Sequence, residues 1–146
     1  MKKVALSVLA VVFTCALAFG VPHVLAKDMT AKDFVEEAKK GVCEVSVSEA
    51  KGMLDKGGWI FLDCREPKEF KMGHVPGAIN IPRGLIEFKA DKSIPDKNAQ
   101  IIVYCKVGGR GCLTACTLCR MGYKNVKNMG GGWKAWEKAG YPTEPK

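Results

Sequence analysis

Ile101-Ile102-Val103-Tyr104-Cys105-Lys106-Val107-Gly108-Gly109-Arg110-Gly111 is the stretch on which the fold turns. Its first four residues are all apolar, as in a strand buried on both faces. A loop with closely spaced glycines follows, and Gly111 to Met121 then reads as a helix. A buried strand passing through a tight loop into a helix is the repeating step of a parallel sheet covered by helices.

The same step recurs on both sides. Trp59-Ile60-Phe61-Leu62 is a second continuous apolar run, followed by a short helix from Glu66 to Lys71. Val45-Ser46-Val47 reads as a short strand, with Ser48 capping a helix through Leu54 that Gly57-Gly58 ends. Ala78 to Ile81 is the next strand, closed by Pro82; Gly84 to Phe88 is a helical turn, and a polar connection leads to Gln100. Asn125 to Met129 forms the last strand, Gly130-Gly131-Gly132 a turn, and Trp133 to Lys138 the last helix. Before all of these, Asp28 to Lys40 is helical in pattern, with Thr30 as cap, Asp33 three residues on and Gly41 as stop. The expected architecture is an α/β three-layer domain with a central parallel sheet of about five strands. In such sheets the functional loops lie at the carboxyl ends of the strands, here after Leu62 and after Tyr104.

Residues 1–26 read as a secretory signal peptide. Met1-Lys2-Lys3 is basic, Val4 to Gly20 is uncharged, and Val24-Leu25-Ala26 sets small residues before Lys27. A second cleavage point lies after Ala18, and an uncleaved segment would serve as a membrane anchor. Cleavage after Ala26 leaves 120 residues, one domain with a real core. It also leaves 21 basic and 15 acidic residues, a charge of +6. The exported protein is expected in an oxidising place such as a periplasm. With 47% apolar and 26% charged residues the chain is neither disordered nor fibrous. Lys and Arg are scattered among acids with no basic run longer than two, which argues against nucleic acid as a partner.

The loop after Tyr104 carries the chemistry. Its glycines let the backbone curl until the N–H groups face inward as an anion nest. The next helix adds a partly positive N-terminus. A cysteine at the mouth of that nest has its thiolate stabilised. Cys105 is therefore the candidate nucleophile, Lys106, Val107, Gly108, Gly109, Arg110 and Gly111 the anion-binding loop, and Lys106 and Arg110 its cations. A buried structural cysteine, with glycines serving only the turn, fits the loop pattern as well.

Wider context favours the nucleophile. The chain resembles the rhodanese family of sulfurtransferases through Leu62-Asp63-Cys64-Arg65-Glu66-Pro67, Glu69-Phe70, Gly73 to Pro82, Cys105 to Arg110, Gly122 to Val126, and Gly131 to Trp136 ending at Gly140-Tyr141-Pro142. These pieces stand in the family's order over residues 44–142. The resemblance implies a rhodanese-like domain there, after an N-terminal helical extension (27–43) and before a short tail (143–146). It implies that Cys105 takes sulfane sulfur as a persulfide from an anionic donor such as thiosulfate and passes it to cyanide or a thiol. No cofactor or metal is implied. A periplasmic persulfide carrier, or a module that binds a redox partner, with little turnover of small donors is the alternative from another class. Cysteine phosphatases and arsenate reductases place their arginine six positions after the nucleophile; here Arg110 is the fifth and Gly111 the sixth. Gly111 also departs from the small hydroxyl residue frequent there in the family. The resemblance further suggests that Asp63 braces the loop and Arg65 lines its entrance, with a structural salt bridge as the competing role.

Other residues are expected to be structural. Glu66 and Glu69 should face solvent. His74, in Gly-His-Val-Pro-Gly, should bond backbone groups. Trp133 and Trp136 should cover the sheet. Cys112, Cys116 and Cys119, spaced four and three, should pack one helix face into the core, with a redox or resolving role for Cys112 as the sharper alternative. With Cys43 and Cys64, six cysteines follow the leader, and a disulfide among them is open.

Overall fold

The computed structural model describes residues 28–144, so the leader expected at 1–26 lies outside the described residues. The described residues form five strands: β1 (Cys43–Val45), β2 (Trp59–Asp63), β3 (Ile79–Asn80), β4 (Gln100–Tyr104) and β5 (Asn125–Met129). All pair in parallel, in the order β1-β5-β4-β2-β3. Six helices surround them: α1 (Ala31–Lys39), α2 (Val47–Lys56), α3 (Pro67–Lys71), α4 (Ile86–Ser93), α5 (Gly109–Arg120) and α6 (Gly132–Lys138).

Side chains on the central strands alternate between two cores. Leu62, Val103, Ile86 and Leu118 pack on the face under α4 and α5. Phe61, Ile102, Tyr104 and Trp136 pack on the face under α2 and α6. The two tryptophans do cover the sheet, with Trp136 fully buried and its indole N–H donating to the Pro142 carbonyl at 2.9 Å.

Local chemistry moves several expected boundaries. Ser46, not Ser48, caps α2. The Ser46 side chain accepts from the Glu49 N–H at 3.2 Å, and the Glu49 carboxylate accepts from the Ser46 N–H at 2.7 Å. That reciprocal box pulls Ser46 and Val47 out of the strand, and β1 begins at Cys43 instead. The sheet therefore starts inside what was expected to be the extension. The expected helical turn at 84–88 is the short 3-10 turn Arg83–Leu85 followed by α4, which runs on to Ser93. Ile86 and Ala90 bury its inner side, while the charges around them face water. The tail is tied down as well: the Glu144 N–H donates to the His74 carbonyl at 2.9 Å. At the other end the Thr30 and Asp33 box forms as expected, and α1 lies on α5 with Val35 close to Gly109 and Cys112.

Candidate active site

Parallel pairing puts the carboxyl ends of β2, β4 and β5 along one edge, and the loops leaving them meet there. Cys105 follows β4 directly and is 1% exposed. The loop curls around it. The Gly108 N–H donates to Sγ at 3.2 Å, and the amides of Val107 and Gly111 also favour the thiolate. Gly108 has φ +103°, a left-handed backbone that suits glycine, and it starts α5. The pKa of Cys105 falls to about 5, through a hydrogen bond from Cys64 first and these amides next, against the opposing effect of burial. Sγ is thus shielded from water, packed at the end of the apolar core and faced by amide donors.

The loop holds this shape because α6 grips it from behind. The Trp133 and Lys134 N–H groups donate to the carbonyls of Cys105 and Lys106 at 2.7 and 3.0 Å. Carbonyls fixed outward leave the amides free to face inward. The approach is close: a Cβ on Gly132, whose φ is +56°, would overlap the Cys105 carbonyl oxygen and stand 3.0 Å from the Gly108 nitrogen. The Gly130-Gly131-Gly132 stretch, expected only as a turn, is the backstop of the site.

Gly111 has a local cause too. A Cβ there would stand 2.5 Å from Oδ1 of Asn128, a buried side chain of β5 whose amide nitrogen donates to Glu44 at 2.8 Å. Asn128 fills the space that a hydroxyl residue at position 111 would need, and its Oδ1 has no hydrogen-bond partner. No spacing rule in the sequence pointed to Asn128.

The cations are less free than expected. Arg110 is clamped by Glu69 of α3 through three contacts of 3.1 Å, so Glu69 does not simply face solvent. Burial works to raise the Glu69 pKa, but the Glu66 amide and Arg110 outweigh it and hold the carboxyl below its ordinary value. Lys106 is exposed, and Val107 stands at the loop tip, 61% exposed.

Asp63 and Arg65 pair with each other. The Arg65 guanidinium donates to Asp63 at 2.6–3.0 Å and to the Gly73 carbonyl at 2.7 Å, and it lies 4.6 Å from the Trp133 ring centre. Both are buried, so Arg65 does not line the entrance, and the Asp63 carboxylate holds Arg65 and its amide, not the nucleophile loop. Their effect reaches the site through Trp133. His74 bonds the Phe70 carbonyl at 3.0 Å and stacks on the Phe70 ring, the structural part expected of it.

The cysteines divide differently from the expected stripe. Cys112 is buried beneath α1, Cys116 is half-buried and Cys119 is exposed, because the face that α5 turns to the core is the one carrying Ala115 and Leu118. The six cysteines among the described residues are all free thiols. The thiol beside Cys105 is Cys64, one residue past β2; Cys112 points to the Val35 carbonyl. Among the described residues no group of three His, Cys, Asp or Glu side chains is placed to hold a metal ion, and no helix is long and apolar enough to cross a membrane.

The chain matches one family model, the rhodanese-like domain, over residues 46–139, a range that includes Cys105 and its amide cradle. The chain belongs to the rhodanese-like sulfurtransferase family. It is 37% identical over 131 residues to "Protein HIGH ARSENIC CONTENT 1, mitochondrial" of Arabidopsis thaliana, covering 78% of this chain and 75% of that protein. It is 36% identical over 110 residues to "Thiosulfate sulfurtransferase 16, chloroplastic" of the same plant, covering 68% of this chain and 91% of the relative. Among solved structures it resembles a Rhodopseudomonas palustris protein of unknown function titled a possible tyrosine phosphatase, with TM-score 0.75 and 27% identity, over 81% of this chain and 96% of that one. The rhodanese-like fold expected from the motifs is therefore the fold observed.

Proposed function

We propose that this protein is a thiosulfate-type sulfurtransferase that works through a Cys105 persulfide. The observation that carries the proposal is the buried Sγ with an amide donor at 3.2 Å and a pKa near 5. At neutral pH such a thiol is on the order of 99% ionised. The thiolate attacks the outer sulfur of thiosulfate, the S–S bond breaks, and sulfite leaves with the bonding pair. The outer sulfur of the resulting persulfide sits among the amides from Lys106 to Gly111. Cyanide then attacks that sulfur and departs as thiocyanate, or a thiol takes it, and the Cys105 thiolate returns. Two half-reactions sharing one covalent intermediate give ping-pong kinetics.

The loop length supports sulfur over phosphorus, since Arg110 follows Cys105 by five positions and the Asn128 side chain stands where a Cβ at the sixth position would go. The leader expected from the sequence of residues 1–26 supports action outside the cytoplasm. Intact-mass measurement after thiosulfate treatment tests the proposal. A gain of about 32 Da, one sulfur atom, is expected on wild type and is removed by cyanide. Cys105→Ser shows no gain. An adduct that forms but hardly turns over identifies a persulfide carrier, and no adduct at all refutes sulfur transfer.

A further inference from the structure

Cys64 is the buried nucleophile that the transfer just described leaves unused. The ladder between β2 and β4 pairs Asp63 with Tyr104, and it continues one step further. The Cys64 N–H donates to the Tyr104 carbonyl at 2.9 Å, the bond that sets Cys64 opposite Cys105 in a parallel pair. Their side chains point to the same face of the sheet, into the core that holds Leu62 and Val103. Neighbouring strands stand about 4.8 Å apart, within the roughly 4.4–6.8 Å between α-carbons that a disulfide spans. Cys64 is also pinned at its carbonyl, which accepts from the Arg83 N–H at 3.1 Å. It is fully buried, as Cys105 nearly is.

We propose that Cys64 is a second sulfur nucleophile of this site, which attacks Sγ of the Cys105 persulfide, forms a Cys64–Cys105 disulfide and expels the outer sulfur as hydrosulfide. The inference rests on the persulfide proposed above. The approach is favourable because Cys64 stands beside Cys105 on the neighbouring strand, and the loop amides that now donate to Sγ are at hand for the outer sulfur. The loop amides that cradle the persulfide then stabilise the departing anion. The balance closes without an oxidant. The bond between Cys64 and Cys105 sulfurs forms, the persulfide S–S bond breaks, and the Cys64 proton leaves on hydrosulfide. The two cysteines are oxidised to the disulfide as the sulfane sulfur is reduced to sulfide. A dithiol reductant restores both thiols by exchange. The net activity is reduction of sulfane sulfur to sulfide at the expense of a dithiol. Before loading, the Cys64 thiol is pushed well above its ordinary pKa, first by its hydrogen bond to the Cys105 thiolate and then by burial. Loading removes that negative charge from Sγ, and the Thr114 hydroxyl beside Cys64 favours its ionised form.

The test is a single turnover. Full-length protein, fully reduced and then freed of reductant, is mixed with thiosulfate and no acceptor, and intact mass and free sulfide are followed together. The expected course is a gain of about 32 Da that decays to a loss of about 2 Da as about one equivalent of sulfide appears. Peptide mapping then finds Cys64 joined to Cys105, at a rate independent of protein concentration. Cys64→Ser keeps a donor beside Cys105, and its adduct persists without sulfide release. A wild-type adduct that is as long-lived as that of Cys64→Ser overturns the inference and leaves the persulfide proposal standing. So does a disulfide that maps to Cys43, Cys116 or Cys119. If neither protein gains the sulfur mass, the persulfide proposal itself fails and takes this inference with it.

Discussion

Replacing Gly132 by alanine probes the contact that shapes the nucleophile loop. The residue has φ +56°, and moving a side chain into that backbone region costs roughly 1–2 kcal/mol by itself. The new Cβ would overlap the Cys105 carbonyl oxygen and meet the Gly108 nitrogen and Lys106 carbonyl carbon at 3.0 Å each. Every one of these atoms is backbone, so none can swing aside. The N-terminus of α6 must lift, which strains or breaks the Trp133 and Lys134 hydrogen bonds to the loop, each worth about 1 kcal/mol. The expected loss is about 3–4 kcal/mol in urea unfolding with an unchanged m-value.

The chemistry should change alongside the stability. Alkylation of the wild-type thiol by iodoacetamide should inflect near pH 5, where Cys105 titrates. In Gly132→Ala the Cys105 and Lys106 carbonyls lose their anchors, the amides turn from Sγ, and the inflection should rise by about one unit or more. Gly140→Ala is the control. Its φ is +68° and nothing lies within 4 Å of the added Cβ, so it bears the backbone cost alone and should keep the inflection. If Gly132→Ala unfolds at the same urea concentration as Gly140→Ala and still inflects near pH 5, the buttress does not shape the site.

Glu69→Gln should release Arg110 and lower the KM for thiosulfate several-fold with little change in kcat, measured by steady-state thiocyanate formation. Gly111→Ser should lose about 2 kcal/mol in unfolding, because Asn128 Oδ1 stands 2.5 Å from the new Cβ, and Asn128→Gly in the same chain should restore part of it. Asp63→Asn leaves the Arg65 charge buried without a carboxylate and should cost about 3–5 kcal/mol in the same assay. The ionised Cys105 stabilises the fold in full above the ordinary thiol range near pH 9. That contribution fades as pH falls toward about 5 and is gone below it, so wild type should lose more stability between pH 8 and 5 than Cys105→Ser, read from urea midpoints across that range.

The central strands were legible because residues 101–104 are buried and residues 59–62 are half-buried or buried, so neither run carries polar alternation to confuse. The candidate nucleophile was legible from the glycine loop only together with the motifs around it, since the loop alone fits a structural cysteine as well. Boundaries set by side-chain competition were harder. Val45-Ser46-Val47 alternates like a strand, yet the Glu49 carboxylate decides for a cap at Ser46. α4 was hidden by the charges of residues 89–92, although Ile86, Ala90 and Ile94 keep a four-residue spacing on the buried side. Contacts between segments far apart in the chain left no local mark at all. Gly132 against Cys105, Asn128 against Gly111, and Arg110 with Glu69 exist only once the strands are ordered β5-β4-β2. Cys64 was quoted as part of a motif, and only the strand pairing reveals what it stands beside.

The electrostatics of the site come mainly from the main chain. Lys106 is exposed, and Arg110 shares its charge with Glu69, so neither cation bonds Sγ directly in the resting state. The amides of Val107, Gly108 and Gly111, with Cys64 behind them, supply the donors instead. Backbone dipoles held in a buried frame carry no mobile counter-charge and are screened little by salt. They are held only as firmly as the carbonyls on the other side of the same peptides, which is why α6, remote from the substrate, matters to the nucleophile. The Glu69 clamp then has a definite use. It holds Arg110 on a carboxylate while Sγ keeps its own donors, so under the proposed function an arriving anion would displace Glu69 and leave the thiolate undisturbed.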